Sequence, residues 1–126
     1  MLFRSPKKIL IAYNGSEESK KILTTAVRNP IFKDVTRDIV NINDDKLFSE
    51  KILDEAKKIY AKSEIDIKTS VLSGDAKTEI LTYMYENDCD ILAMGAFGHS
   101  RIKEFIFGSF TSEIIAQSKK PILFYR

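Results

Sequence analysis

Three of the five glycines in this 126-residue chain fall within one segment that ends in a serine, and this spacing could bind phosphate: Gly95, Gly98 and Gly108, followed directly by Ser109. Glycines let the backbone adopt positive φ angles and approach a ligand closely, so several peptide N–H groups can converge on one anion. A helical pattern begins at Ser109, and the free N–H groups at a helix start favour a phosphate there. The same residues could equally make turns and cap the helix. Geometry alone leaves both interpretations open.

Two further polar residues lie in the same segment. His99 and Arg101 could contact phosphate oxygens, and the guanidinium of Arg101 has the planar fork of donors that suits this contact. A solvent-facing position explains a loop histidine equally well. Outside the segment, Cys89 stands just before an apolar run, where packing as a small buried side chain is a commoner role than redox chemistry.

Other site chemistries lack their motifs in the sequence. A P-loop requires Gly-Lys-Ser or Gly-Lys-Thr, and neither these nor the Gly-x-Gly-x-x-Gly pattern occurs. One histidine and one cysteine are too few for a zinc site, and no Ser-His-Asp arrangement has a recognisable context. A phosphoryl-receiver domain needs clustered acidic residues after its first strand, where this chain has Tyr13, Asn14 and Gly15. The residues alone therefore leave phosphate binding by the glycine segment and a purely structural role for its turns as the two open interpretations.

Short β-type runs alternate with longer helical patterns along the whole chain, and this alternation is typical of βαβ units that build a parallel sheet. We predict one doubly wound α/β domain over residues 1–126, with five strands and about four helices. Ligands bind such sheets beyond the carboxyl ends of the strands, where the winding reverses, so the segments after the first and fourth strands are the expected site. The strands are predicted at residues 8–13, 38–42, 65–72, 90–94 and 121–125.

The helix after the second strand is expected to begin at Asp44 or Asp45, because either carboxylate can cap a helix start. Its apolar residues recur at helical spacing and should form the face that packs on the sheet. These residues are Phe48, Ile52, Ala56, Ile59 and Tyr60.

The composition predicts an ordinary globular domain, with 44% hydrophobic and 30% charged residues. Twenty basic and eighteen acidic residues leave a net charge of +2, so we expect no nucleic-acid partner. No run approaches the roughly 20 apolar residues of a membrane span, and no secretory signal is visible. Because a single cysteine cannot form an internal disulfide, we expect a soluble cytoplasmic protein.

The spacing Gly95-x(2)-Gly98-x(9)-Gly108-Ser109 resembles the nucleotide-binding signature of the universal stress protein family. Residues 8–16, 74–75, 90–94 and 121–124 also resemble family segments, so the likeness covers almost the whole chain in the right order. It implies a Rossmann-like parallel sheet in the order 3-2-1-4-5, which the residues alone do not give. It also implies a stress-response regulator that binds ATP, or AMP or ADP, with slow or absent hydrolysis.

Carried over by motif, the resemblance implies a position for each part of the nucleotide. The adenine would lie near Asn14 and Ile42, and the ribose near Ala12 and Gly95. Met94 would form the floor of the site. The phosphates would lie near Gly98, His99, Gly108, Ser109 and Phe110.

Two features depart from the usual single-domain member. The family usually has aspartate where this chain has Asn14, and an uncharged amide coordinates a divalent cation less well than a carboxylate, so bound Mg²⁺ is doubtful. Residues 29–33 resemble the second half of tandem family members.

The last strand would lie at an open edge of the sheet, which suggests a homodimer through that strand. A structural dimerisation module that no longer binds nucleotide is the alternative function.

Overall fold

The computed structural model describes residues 7–28, 32, 34–63, 65–95 and 109–125. In these ranges five strands and four helices alternate along the chain. Among the described helices, none combines the length and the apolar character needed to cross a membrane. The strands are β1 (Lys8–Ala12), β2 (Thr36–Ile42), β3 (Ile67–Leu72), β4 (Ile91–Gly95) and β5 (Ile122–Tyr125). The helices are α1 (Glu17–Arg28), α2 (Lys46–Tyr60), α3 (Ala76–Glu86) and α4 (Ser109–Gln117).

The five strands form one parallel sheet in the order β3-β2-β1-β4-β5. This confirms the predicted doubly wound α/β fold and the strand order that the family resemblance implied. Ala12 pairs with Val40 on one side and with Met94 on the other, so β1 is the central strand. Because the chain crosses from β3 to β4, the winding reverses beside β1, where a ligand site is expected in such folds.

Successive side chains of β1 point to opposite faces of the sheet, and both faces are covered by helices. Ile9 and Ile11 belong to a buried cluster with residues of α1 and α2. Leu10 and Ala12 belong to a second buried cluster with residues of α3 and α4. Residues 9–12 are all apolar because each of their side chains packs in one of these two clusters.

The strand bounds differ from the predicted ones by one or two residues, and local hydrogen bonds explain the larger differences. β2 begins two residues early, at Thr36, whose N–H donates to the carbonyl of Lys7 at 2.9 Å. β3 begins two residues late because the N–H of Ile65 donates to the hydroxyl of Ser63 at 3.2 Å. β1 ends one residue early, and β4 and β5 begin one residue late.

The buried face of α2 corrects the prediction at Phe48, which is 48% exposed. Its neighbour Ser49 is fully buried instead. Asp45 is the N-cap of the helix, and its carboxylate accepts a hydrogen bond from the N–H of Phe48 at 3.1 Å. The hydroxyl of Ser49 donates to Oδ1 of Asn41 at 2.6 Å, so a polar contact sets which residue of the first turns faces the sheet.

Candidate functional site

A cavity of about 320 Å³ opens at the carboxyl ends of β1 and β2. Its volume is at the lower end of the range for small-molecule pockets, roughly 300–1,000 Å³. The lining is mostly apolar, with a few polar groups at the strand ends. Three of the predicted site residues, Ala12, Asn14 and Ile42, are brought together here. Among the described residues, the lining consists of Ala12, Tyr13, Asn14, Asn41, Ile42, Ala76 and Ile80.

Asn14 stands where the chain leaves β1, and its amide oxygen is already engaged. Oδ1 accepts a hydrogen bond from the N–H of Ser16 at 3.0 Å and another from the hydroxyl of Ser19 at 3.1 Å. A backbone N–H can only donate, so the contact with Ser16 fixes the orientation of the amide. Within the described residues, Nδ2 of Asn14 has no hydrogen-bond partner. At this position the exposed side chain can therefore offer a ligand N–H donors.

The loop between β1 and α1 is held against α2 by apolar and polar contacts. Gly15 has a φ of +81°, a conformation that side chains rarely adopt, and a Cβ there would lie 3.1 Å from Cδ1 of Ile52. The hydroxyl of buried Tyr13 donates to Glu55 at 3.2 Å. Burial and this contact with a carboxylate raise the pKa of Tyr13 above its ordinary value, so the phenol stays protonated as a donor.

Asn41 and Ser49 add a buried polar contact beneath that loop. Nδ2 of Asn41 donates to the backbone carbonyl of Tyr13 at 2.8 Å, and its Oδ1 accepts from the hydroxyl of Ser49 at 2.6 Å. The N–H of Tyr13 donates to the carbonyl of Val40 as the last main-chain bond between these strands at this end. Beyond this point a side chain takes the place of the sheet ladder, and the strand ends separate around the cavity.

The start of α3 forms the opposite wall, through Ala76 and Ile80. Asp75 is its N-cap and accepts hydrogen bonds from both the N–H and the hydroxyl of Thr78, which hold the pKa of its carboxyl below the ordinary value. Gly74, with a φ of +108°, donates its N–H to Asp44 at 3.1 Å. The loops that follow β2 and β3 are thus joined at the rim of the cavity.

Met94 and Gly95 end β4 next to β1, and both are buried. Met94 packs in the same cluster as Ala12 and Ile80 and is not among the cavity-lining residues, so its role as a floor stays a prediction. A Cβ on Gly95 would lie 2.9 Å from Cβ of Glu18, closer than side-chain carbons pack. Close approach of α1 is therefore one physical reason for glycine at position 95, whether or not a ribose lies near it.

The predicted phosphate-binding residues fall largely outside what the structure describes. Gly98, His99 and Gly108 lie outside the described residues, as does Arg101. Ser109 and Phe110 are the first two residues of α4, where the backbone is described. Nζ of Lys77 in the first turn of α3 lies 2.6 Å from a carboxylate oxygen of Glu113, in the second turn of α4.

Of the cavity-lining residues that the structure describes, four were not predicted as site residues: Tyr13, Asn41, Ala76 and Ile80. The sequence does signal the last two, since they are four residues apart in a helix that follows a Gly-Asp turn. Their place beside Ile42 depends on how α3 crosses the sheet. Asn41 has a weaker signal, a polar residue one position before the end of an apolar strand.

Cys89 is fully buried in the cluster on the α3 side of the sheet. Burial, with a smaller contribution from the charge of Asp38, raises the pKa of its thiol to about 11. The thiol is therefore protonated at neutral pH and a poor nucleophile, in keeping with a packing role. In the part of the chain that the structure describes, no group of three or more His, Cys, Asp or Glu side chains is placed to hold a metal ion.

The sheet topology defines a doubly wound α/β domain with a cavity at the carboxyl ends of its strands. The sequence matches the universal stress protein family over residues 6–126. Universal stress protein Slr1230 of Synechocystis sp. is 32% identical over 98% of this chain and 44% of its own length. Stress response protein NhaX of Bacillus subtilis is 28% identical over 79% of this chain and 58% of its own length. This chain belongs to the universal stress protein family, and it spans about half the length of these two relatives.

Solved structures share the fold. Protein MJ0577 of Methanocaldococcus jannaschii has a TM-score of 0.82 at 23% identity, covering 97% of this chain and 96% of its own. A universal stress protein in complex with cAMP has a TM-score of 0.80 at 20% identity, covering 98% of each chain. The Archaeoglobus fulgidus universal stress protein in complex with dAMP has a TM-score of 0.74 at 17% identity, covering 98% of this chain and 100% of its own. At these identities the likeness establishes the shared fold.

Proposed function

We propose that this domain binds an adenine nucleotide, ATP or its products ADP and AMP, and acts as a stress-response regulator with slow or absent hydrolysis. The observation that carries the proposal is the apolar cavity at the carboxyl ends of β1 and β2, which gathers Ala12, Asn14 and Ile42. The family resemblance assigns the base and ribose to these three residues. Two proteins of the same fold are in complex with cAMP and dAMP, which supports an adenine nucleotide as the ligand class.

The cavity suits a flat heteroaromatic base. Ile42 and Ala12 form apolar walls from two neighbouring strands, and Ile80 faces them from α3. Such walls favour a base by removing apolar surface from water, while a few polar groups fix its orientation. Nδ2 of Asn14 supplies a donor, which matches the ring nitrogens of adenine or a ribose oxygen better than the 6-amino group.

The phosphates would extend from the cavity towards the start of α4. The ion pair between Lys77 and Glu113 links α4 to α3, the helix whose start forms a wall of the cavity. Ser109 is the first residue of α4, and a helix start presents free N–H groups and a positive dipole end to an anion. We place the phosphates there together with the glycines of the preceding segment, as the family resemblance implies.

The side chain of Asn14 affects whether a bound cation can assist hydrolysis of the nucleotide. An aspartate at this position could use one carboxylate oxygen for Ser16 and Ser19 and present the other, negatively charged, to a ligand-bound cation. The asparagine instead presents Nδ2, which repels a cation. We therefore propose that nucleotide is bound and sensed with little help from Mg²⁺.

Calorimetric titration of nucleotide-stripped protein with ATP, AMP and GTP tests this function. We expect adenine nucleotides to bind and to raise the melting temperature by mass action, with GTP weaker. The absence of heat and of a thermal shift at millimolar ATP and AMP would overturn the proposal.

The Asn14→Asp variant, titrated beside the wild type with and without Mg²⁺, tests the argument about the cation. Mg²⁺ should strengthen ATP binding to the variant several-fold and leave the wild-type affinity nearly unchanged, because only the variant offers a carboxylate. Rapid Mg²⁺-dependent phosphate release by the wild type would show that this argument is wrong.

A structural dimerisation module is the second candidate, and one observation favours it. β5 lies at the edge of the sheet, where its outer backbone groups could pair with the same strand of a second copy. In that case the wild type would be dimeric without nucleotide and would give no heat in the titration. A homodimer through β5 is also compatible with nucleotide binding, so the titration decides between the two functions.

A further inference from the structure

We propose that Asn41 and Ser49 are a positioning pair that presents Asn14 to the ligand. This inference rests on the proposed nucleotide function and assigns a role there to two residues that need make no contact with the nucleotide. The observation behind it is a continuous chain of hydrogen bonds from α2, through the side chain of Asn41, to the carbonyl of Tyr13. Tyr13 immediately precedes Asn14.

Both polar groups of Asn41 are used inside the protein, which makes it a poor ligand contact although it lines the cavity. The residue is 5% exposed, and Ser49 is fully buried. The carbonyl of Tyr13 can only accept, so it fixes Nδ2 as the group that donates to it. Oδ1 is then left as the acceptor for the hydroxyl of Ser49. The pair has one orientation that satisfies every member.

The carbonyl of Tyr13 belongs to the peptide group that leads into Asn14. Rotation of that peptide group would move the side-chain carboxamide of Asn14 away from Ser16 and Ser19. It would also change the direction of the free Nδ2 donors of that side chain. Asn41 opposes the rotation by holding the carbonyl at 2.8 Å, in place of the next bond of the sheet ladder. Ser49 in turn keeps the carboxamide of Asn41 from turning.

The decisive variant is Ser49→Ala, which removes the bond to Asn41 and leaves both carboxamide groups of the site intact. We expect adenine nucleotide to bind about tenfold more weakly, since a buried hydrogen bond that orients the site is lost. The matched control is Ser63→Ala, just beyond α2 near the amino end of β3, where the hydroxyl donates to the carbonyl of Tyr60 at 2.7 Å and accepts from the N–H of Ile65 at 3.2 Å. The control should lose stability of similar size and keep the wild-type affinity.

A double-mutant cycle with Asn14→Ala separates positioning from general destabilisation. If Ser49 acts through Asn14, Ser49→Ala should cost about tenfold in the wild-type background and almost nothing in the Asn14→Ala background. Equal losses in both backgrounds would overturn the inference. So would Ser49→Ala binding as tightly as Ser63→Ala, and either result would leave the proposed function standing.

Backbone amide exchange in ligand-free protein keeps the inference testable if the wild type binds no adenine nucleotide. That result would refute the proposed function, whereas the positioning of the loop would still be measurable. Ser49→Ala should speed exchange relative to Ser63→Ala at the amide of Ser16, which donates to Oδ1 of Asn14, and at the amide of Ser19, which donates to Oγ of Ser16. Unchanged exchange at both amides would overturn the inference.

Discussion

β2 buries a polar side chain against the α1 and α2 layer near each of its ends, and the two are satisfied in different ways. At the carboxyl end, Asn41 pairs both of its amide groups with Tyr13 and Ser49. At the amino end, the guanidinium of Arg37, 2% exposed, donates to the carbonyls of Ala26, Val35 and Phe32. One end uses a neutral, fully paired group, and the other buries a charge among main-chain acceptors.

The amino-end cluster leaves polar atoms unpaired. Within the described residues, neither Nε of Arg37 nor the hydroxyl of Tyr60 has a hydrogen-bond partner. The guanidinium carbon lies 5.9 Å from the centre of the Tyr60 ring, so the ring face contributes a cation–π contact. The difference indicates that the amino and carboxyl ends of β2 have different roles. Arg37 joins α1 to the start of β2 and serves stability, whereas Asn41 shapes a loop that borders the proposed site.

Arg37→Met should have the largest effect on stability. It leaves the buried carbonyls of Ala26 and Val35 without this donor, while that of Phe32 keeps the N–H of Val35. Each unsatisfied group costs roughly 1–3 kcal/mol, so we expect a loss of about 3 kcal/mol or more. Denaturant unfolding followed by circular dichroism measures this loss. Arg28→Met is the control, because Arg28 is exposed in the last turn of α1 and such surface changes usually stay within about 0.5 kcal/mol.

The same variant tests the division between the two ends. At a temperature where Arg37→Met is folded, its affinity for adenine nucleotide should equal that of the wild type. A weaker affinity in the folded variant would show that the amino end also serves the site. An unfolding curve like that of the wild type would show that the buried guanidinium adds nothing to stability.

Gly95→Ala, at the carboxyl end of β4, should lower the stability by an intermediate amount. The added Cβ would meet Cβ of Glu18 at 2.9 Å, and overpacking of this kind costs about 1–3 kcal/mol. The loss should be present without nucleotide, because its cause is the approach of α1. Thermal melting of ligand-free protein measures it.

A double-mutant cycle identifies the clash behind that loss. Adding Glu18→Gly removes the opposing carbon, so the pair should lose less stability than the sum of the two single changes. Strict additivity would mean that the contact with Cβ of Glu18 is not the source of the loss.

The fold could be predicted from the sequence because strands covered on both faces are continuous apolar runs, as residues 8–12 show. Strand ends were less predictable because side-chain bonds set them. The hydroxyl of Ser63 holds Ile65 in a turn, and the amide of Asn41 replaces the ladder beyond Tyr13. Neither bond leaves a periodic pattern in the sequence.

The site was predicted in part for the same reason. Ala12 and Ile42 end apolar runs, so their place at the carboxyl edge follows from the parallel sheet. Ala76 joins them because of the way α3 packs on the sheet, which strand patterns do not give. The prediction that Phe48 lies on the buried face of α2, where Ser49 is found instead, was wrong for a similar reason. Helical periodicity favours the apolar residue, but the partner on β2 is the polar group of Asn41.

Tyr60→Phe should change the free energy of unfolding the least, and it should raise that free energy where the other variants lower it. The change removes a buried hydroxyl without a described partner and keeps the ring beside Arg37, so we expect a gain of up to about 1 kcal/mol in unfolding free energy.

Burial also raises the pKa of Tyr60, although the positive charge of Arg37 partly offsets this. Above pH about 10, where an unfolded tyrosine ionises, the wild type should therefore lose more stability than the variant. Urea unfolding at pH 7 and pH 10.5 checks both expectations. A loss of 1 kcal/mol or more at pH 7 would mean that the hydroxyl is hydrogen-bonded in solution, and the contrast between the two ends of β2 would then disappear.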